Sequence, residues 1–414
     1  MTSTIKEAYL DNAATTKPLP EVVEIMNKCM EEDFGNPSSK HQKGIDAEKY
    51  LKEAREIIAN SLRCKPKEII FTSGGTESNN QAIITSALLN SRAGKHVITT
   101  SVEHSSVLEP FAFLERSGFE VTYLPVNSSG QISRESLENA IRPDTILVSV
   151  MHVNNEIGAV NDIKALSEVI AEANQDREKN QKIIFHVDAI QSYGKFKINP
   201  SSLGIDLMSV SGHKINGPKG SGFLYIKENT KTGAYIFGGG QESLLRSGTQ
   251  NVPAIAGLGV SVKEIYDNHA EKISKLYELK RFLINELLKI EDVYINGLSE
   301  EIITELKSDA ELEPQNRTLE FGAPHVVSAS FSGIKSEVLL NALSDKKIYV
   351  SSGSACSSNR PELSGTLKAI GVTDEMLDAT LRFSFSVFTT KEELEYAIEA
   401  LKELLPMLRM FMKR

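Results

Sequence analysis

Apolar positions in the first two thirds of the chain fall into short, dense runs rich in β-branched residues. Ile69–Thr72, His96–Thr99, Val121–Leu124, Thr145–Val148, Ile183–Val187, Ile205–Ser209 and Gly222–Ile226 read as buried strands. Between about residues 69 and 226 these runs alternate with amphipathic segments of helix length. That alternation predicts an α/β fold with a mostly parallel central sheet covered by helices on both faces. After about residue 253 the pattern changes. Residues 260–290 read as helix-rich, and the acidic stretch Glu300–Arg317, with Pro314, reads as an exposed loop or a partly mobile insertion. Leu394, Ile398, Leu401, Leu405 and Leu408 form the apolar stripe of a C-terminal helix. The change divides the chain into a large domain, 17–262, and a smaller α+β domain made of 1–16 with 263–414.

Polar residues follow the runs: Ser73-Gly74-Gly75-Thr76, Glu103-His104, Asn154-Asn155-Glu156, Asp188 and Ser211-Gly212-His213-Lys214. In an α/β sheet the carboxyl ends of the strands form the ligand-binding edge, so these residues are predicted to share a site. The glycine turn before a helix suits a single phosphate group, because the helix start presents free N–H groups and a positive dipole end. The Lys-Ser/Thr ending of a nucleotide-binding loop is missing. A partly desolvated strand-end lysine such as Lys214 can form a Schiff base with an aldehyde, although an ordinary structural lysine fits the same position. Asp188, buried at a strand end, wants a cationic partner such as a protonated pyridine nitrogen, or else caps a helix. Gln191 could donate to a phenolate oxygen on the same ring, His104 could stack on it and relay a proton, and Asn155 offers a neutral donor. Amine, carboxylate, phosphate cradle and ring-facing histidine together match what pyridoxal phosphate requires of a protein.

Composition sets the surroundings. A net charge of -9 argues against direct nucleic-acid binding and against an anionic membrane surface. No apolar run is long enough to span a bilayer, and the N-terminus does not read as a secretory signal. Cys29, Cys64 and Cys356 are too few and scattered for a disulfide framework or a structural zinc site, which predicts a cytoplasmic protein with no intrinsic metal. Cys29 and Cys64 stand in helix-like contexts and read as structural. Cys356, amid the small residues of Val350–Ser358, suits a reactive thiolate. Arg382 stands on a further strand-like run, where its planar fork would grip either an amino acid carboxylate or an internal acid.

Several ordered motifs carry a family resemblance: Tyr9–Thr16, Gly35–Ser39, Thr76–Asn80, Asn154–Gly158, Val187–Ser192, Ser211–Lys214, Gly238–Glu242, Leu245–Thr249 and Ser351–Cys356. In this order they resemble the cysteine desulfurases of the NifS/IscS branch, fold-type I pyridoxal phosphate enzymes of the class V aminotransferase group. Tyr9–Thr16 looks like that family's opening strand. The resemblance implies that Lys214 holds the cofactor aldehyde, Asp188 pairs with the ring nitrogen, Gln191 meets the ring hydroxyl and His104 stacks on the ring. It further implies that Gly75, Thr76, Ser211 and His213 hold the phosphate, joined by Thr249 from a neighbouring subunit of a homodimer. Asn155 and Arg382 would hold the carboxylate of L-cysteine. Cys356 would take the sulfur as a persulfide, leaving alanine, and pass it to an iron–sulfur scaffold or another sulfur acceptor; it could also ligate an iron–sulfur cluster in transit. Phe237, where the family often has histidine, and the longer segments Ala173–Lys182 and Glu300–His325 depart from the pattern. A selenocysteine lyase would use the same residues, an aminotransferase or kynureninase-like hydrolase would not need Cys356, and a platform for a sulfur-accepting scaffold would make catalysis secondary.

Overall fold

The computed structural model describes residues 7–308, 314–352 and 363–412. In chain order the strands are β1 (Ala8–Tyr9), β2 (Ile69–Thr72), β3 (His96–Thr100), β4 (Glu120–Leu124), β5 (Thr145–Met151), β6 (Ile184–Asp188), β7 (Leu207–Ser211) and β8 (Gly222–Ile226). They continue with β9 (Val293–Asn296), β10 (Val326–Phe331), β11 (Ile348–Tyr349), β12 (Ser351–Ser352) and β13 (Thr380–Ser384). Seven of them form one sheet in the order β2-β8-β7-β6-β5-β3-β4. Pairing is parallel from β4 through β7, while β8 runs antiparallel to both of its neighbours. The predicted, mostly parallel sheet is therefore present, with one reversed strand. Every residue of β5, β6 and β7 is buried, as expected of strands covered on both faces, whose side chains alternate between two apolar layers. The edge strand β4 is partly exposed.

Helices cover this sheet at close range. Gln42–Leu62 packs on Val252–Tyr266 where a β-carbon at Gly259 would lie 2.8 Å from Ala54 Cα, so only glycine admits the approach. A smaller, antiparallel sheet has the order β12-β13-β10-β9, and β1 pairs with β11 beside it. Helices His269–Leu287 and Lys391–Met412 pack with this part of the chain, the latter burying Leu394, Ile398, Leu401 and Leu405. Among the described residues no helix is long and apolar enough to cross a membrane.

Three expectations need correction. The strand expected at Ile205–Ser209 is Leu207–Ser211, which puts Lys214 in the short turn Gly212–Lys214 immediately after it. The opening strand expected over Tyr9–Thr16 is only Ala8–Tyr9, followed by a single bridge from Asp11 to Ser384. Within the expected loop, Glu300–Lys307 is a helix: Ser299 caps it by accepting from Ile302 N–H, and Ile302 and Leu306, one turn apart, are buried.

Candidate active site

A cavity of about 300 Å³ opens where β5, β6 and β7 end, at Met151, Asp188 and Ser211. Gly75, Thr76, His104, Asn155, Asp188, Gln191, Ser211, His213, Lys214 and Arg382 all line it. Thr249 does not; it is exposed on the loop before Val252–Tyr266. Cys356 lies outside the described residues.

The glycine turn leads into a short helix, Gly75–Asn80, as its sequence suggests. Gly74 has φ 149°, a conformation that L side chains rarely adopt, and a β-carbon at Gly75 would lie 2.1 Å from Ile190 Cδ1. The first bond of the helix that follows runs from Ser78 N–H to Gly74 O. The N–H groups ahead of it therefore point out of the helix end, beside Ser211. Thr76 is exposed at the rim.

Asp188 is buried, and no helix follows it, so it does not act as a helix cap. Its Oδ2 accepts from Asn79 Nδ2 at 2.8 Å and its Oδ1 from Ile190 N–H at 2.9 Å. Burial raises its pKa, and these two neutral donors only partly offset that. Such a carboxylate favours a cationic neighbour inside the cavity.

Lys214 Nζ donates to the carbonyls of Ala13 at 2.6 Å and Ala14 at 2.8 Å. Ala13 O also accepts from Gln191 Nε2 at 3.0 Å, and Gln191 Oε1 lies 3.1 Å from His325 Nε2. His104 is the N-cap of helix Ser105–Arg116: its Nδ1 accepts from Ser106 N–H at 3.1 Å, so the neutral ring carries its proton on Nε2. Burial lowers the pKa of His104, and it pushes His213 down to about 4, so both rings are neutral near pH 7.

Arg382 is buried on β13. Its Nη2 pairs with Asp11 Oδ1 at 2.9 Å and its Nη1 donates to Asn155 O at 2.9 Å. Its Nε is buried with no partner among the described residues, a donor suited to an incoming carboxylate. Both alternatives held open for this arginine are thus partly met, an internal acid and an unsatisfied donor. Beside Asn155, Glu156 accepts from Ser364 Oγ at 2.5 Å and Thr366 Oγ1 at 3.1 Å, tying the start of helix Gly365–Ala369 to the cavity wall.

Sequence reasoning missed Asp11, Asn79, Ser106 and His325, and it missed the carbonyls of Ala13 and Ala14. Asn79 carried a signal, because it sits one helical turn after Gly75 and so faces the same side. The carbonyls carried none, since every residue has one. Burial pushes the thiols of Cys29 and Cys64 up to about 11 and about 12, which keeps both protonated and unreactive.

The lining fits pyridoxal phosphate. Outward N–H groups and hydroxyls stand where a phosphate needs donors, a buried carboxylate needs a cation, and the Lys214 amine lines the same cavity.

Comparison with known proteins agrees. The family model for class V aminotransferases matches residues 8–397. The chain is 43% identical to cysteine desulfurase IscS of Dictyoglomus turgidum over 405 residues, 98% of this chain and 96% of that protein. It is 44% identical to cysteine desulfurase IscS of Serratia proteamaculans over 406 residues, 97% and 93% of the two chains. Among solved structures, a NifS-like protein superposes with a TM-score of 0.85 at 34% identity, covering 97% of this chain and all 100% of its own. SspA in complex with cysteine superposes with a TM-score of 0.73 at 34% identity, covering 92% and 100%. With its motifs in family order and its cavity built from them, the chain belongs to the class V aminotransferase family, within the cysteine desulfurases of the NifS/IscS branch.

Proposed function

We propose that the protein is a pyridoxal phosphate-dependent cysteine desulfurase that converts L-cysteine to L-alanine and keeps the sulfur as a persulfide on Cys356. The observation that carries this reading is the meeting of Asp188, Gln191 and Lys214 in one cavity, in a chain alike over nearly its full length to cysteine desulfurases. When bound, pyridoxal phosphate supplies an electron-accepting ring that stabilises negative charge at the substrate Cα. Gly75, Thr76, Ser211 and His213 hold its phosphate, with Thr249 reaching in from a second subunit. Asp188 keeps the ring nitrogen protonated, Gln191 donates to the ring oxygen, and His104 covers the ring face. Arg382 and Asn155 orient the cysteine carboxylate, a role supported by the unpartnered Nε of Arg382. Lys214 Nζ takes the Cα proton and returns it to the product. The thiolate of Cys356 attacks the substrate sulfur: an S–S bond forms, the C–S bond breaks, and the carbon keeps the electron pair and is protonated to alanine. His104 Nε2 serves as a proton relay.

We read residues 17–262 as the large domain, and 1–16 with 263–414 as the small one. Two separate apolar cores support the division, one reaching Val262 and the other joining Ala8 and Leu10 to residues from Ile273 onward. A homodimer is supported by the exposed apolar run Tyr235, Ile236 and Phe237, the last 84% accessible, ahead of Thr249 in the chain. The setting proposed is cytoplasmic, with an iron–sulfur scaffold or another sulfur acceptor as partner.

Incubation with L-cysteine, with alanine quantified and the persulfide mapped by mass spectrometry, tests the reading. Cys356→Ala is expected to bind cofactor and cysteine but release no sulfide, and normal turnover in that variant would sink the assignment. Lys214→Ala is expected to lose the borohydride-reducible yellow chromophore.

A further inference from the structure

His325 stands just before β10, fully enclosed, and does not line the cavity. Its Nε2 lies 3.1 Å from Gln191 Oε1. The amide orientation of Gln191 follows from chemistry. Its other end lies 3.0 Å from Ala13 O, and turning the amide over would set two carbonyl oxygens against each other. Gln191 therefore faces His325 with its oxygen, and His325 must carry its proton on Nε2 to make the bond. Its Nδ1 is buried with no partner among the described residues. A second proton there would have no acceptor, and burial together with Lys195, Lys280, Arg382 and Lys214 holds the ring neutral. His325 is thus a fixed donor, locked in one tautomer.

We propose that His325 is a positioning residue that locks the Gln191 amide so that its remaining N–H faces the cavity, making this wall a donor that selects an acceptor oxygen on the bound ring. The proposal rests on the function proposed above only in naming the ring. Donation into Gln191 Oε1 polarises the amide and strengthens its N–H as a donor, because hydrogen bonds in a chain reinforce one another.

The test compares His325→Leu, which lacks the donor, with His325→Gln, whose amide nitrogen reaches the position of the imidazole Nε2. In His325→Leu the absorption band of bound pyridoxal phosphate is expected to shift, and cofactor release to quicken about tenfold, the effect of one lost buried hydrogen bond. His325→Gln is expected to restore both. Release of 3-deoxypyridoxal phosphate, which lacks the ring oxygen, is expected to be the same in wild type and His325→Leu. Equal impairment in the Leu and Gln variants, or an equal change for the deoxy analogue, would reduce His325 to core filling and overturn the proposal. Nitrogen-15 chemical shifts of the cofactor-free protein test the tautomer by themselves: an Nδ1–H ring overturns the proposal, whereas an Nε2–H ring in a protein that binds no pyridoxal phosphate upholds the Gln191 lock and overturns the assigned function instead.

Discussion

Two carboxylates lie buried at the strand ends, and their surroundings set them different tasks. Asp188 takes hydrogen bonds on both oxygens and faces the cavity. Glu103 uses one oxygen to accept from Thr100 Oγ1 at 2.9 Å and Met151 N–H at 2.8 Å, while Oε2 is buried with no partner among the described residues. Burial pushes its pKa up to about 8, so the folded protein holds a proton there at neutral pH. The unfolded chain gives that proton up near pH 4.3, so the folded state binds more protons over the interval between and loses stability as pH rises through it, at about 1.4 kcal/mol per pH unit. Glu103→Gln keeps the acceptor and cannot ionise. Chemical denaturation at pH 5.5 and pH 7.5 is expected to show a smaller drop in the variant than in wild type, and equal drops would mean that Glu103 is ionised in the fold. At this scale the side chains with chemistry at strand ends were legible: Lys214, Asp188, Gln191 and His104 all reached the cavity. Their partners were not, because the Ala13 and Ala14 carbonyls have no sequence signature, and His325 is one enclosed histidine beside an apolar run.

Among the elements, the turn that leads to Thr249 is the strained one. Glu242, Ser243 and Leu244 follow each other at φ 46°, 57° and 68°, all left-handed and none glycine. A run of this kind needs an external clamp. The guanidinium of Arg55 supplies it, with Nη2 at 2.9 Å from both oxygens of Glu242, whose Oε2 also accepts from Phe71 N–H at 3.0 Å. Leu244 is largely exposed, so its conformation costs more than its packing returns. Leu244→Gly is expected to raise the unfolding free energy by about 1 kcal/mol, the relief of one left-handed residue. No gain by urea denaturation would show that Leu244 is held by contacts instead. The legibility of elements followed their periodicity. The core strands were readable because β-branched runs buried on both faces look like nothing else. The helix Glu300–Lys307 was misread, since its charge hid Ile302 and Leu306, an apolar stripe of only two residues. The reversed direction of β8 leaves no mark in composition, because a strand's inward and outward alternation is the same read from either end.

For the whole molecule, the segment from Ala8 to Thr16 holds the parts together. At one end it pairs with Ile348 and Tyr349, and Asn12 Nδ2 donates to Tyr9 O at 2.9 Å and Ser384 O at 3.0 Å. At the other, Thr16 N–H and Oγ1 both donate to His213 O, and Ala13 O receives Lys214 and Gln191. Asn12→Ala leaves two carbonyls short of a donor and is expected to cost about 1–3 kcal/mol. Because the same segment seats Lys214, that variant is also expected to release pyridoxal phosphate faster, as followed by absorbance after dilution; unchanged release would mean that the segment carries the fold without tuning the cavity.

During synthesis this arrangement imposes an order. Residues 8–16 leave the ribosome long before their partners at 348 and 384 have been made, and such distant contacts are the slow ones to form. The large sheet can close from contacts within residues 69–226 while the carbonyls that seat the Lys214 amine still lack their support. The cavity therefore acquires its final shape only after residue 384 has been made. Until then a chain that already holds the large sheet lacks the fixed seat of the Lys214 amine.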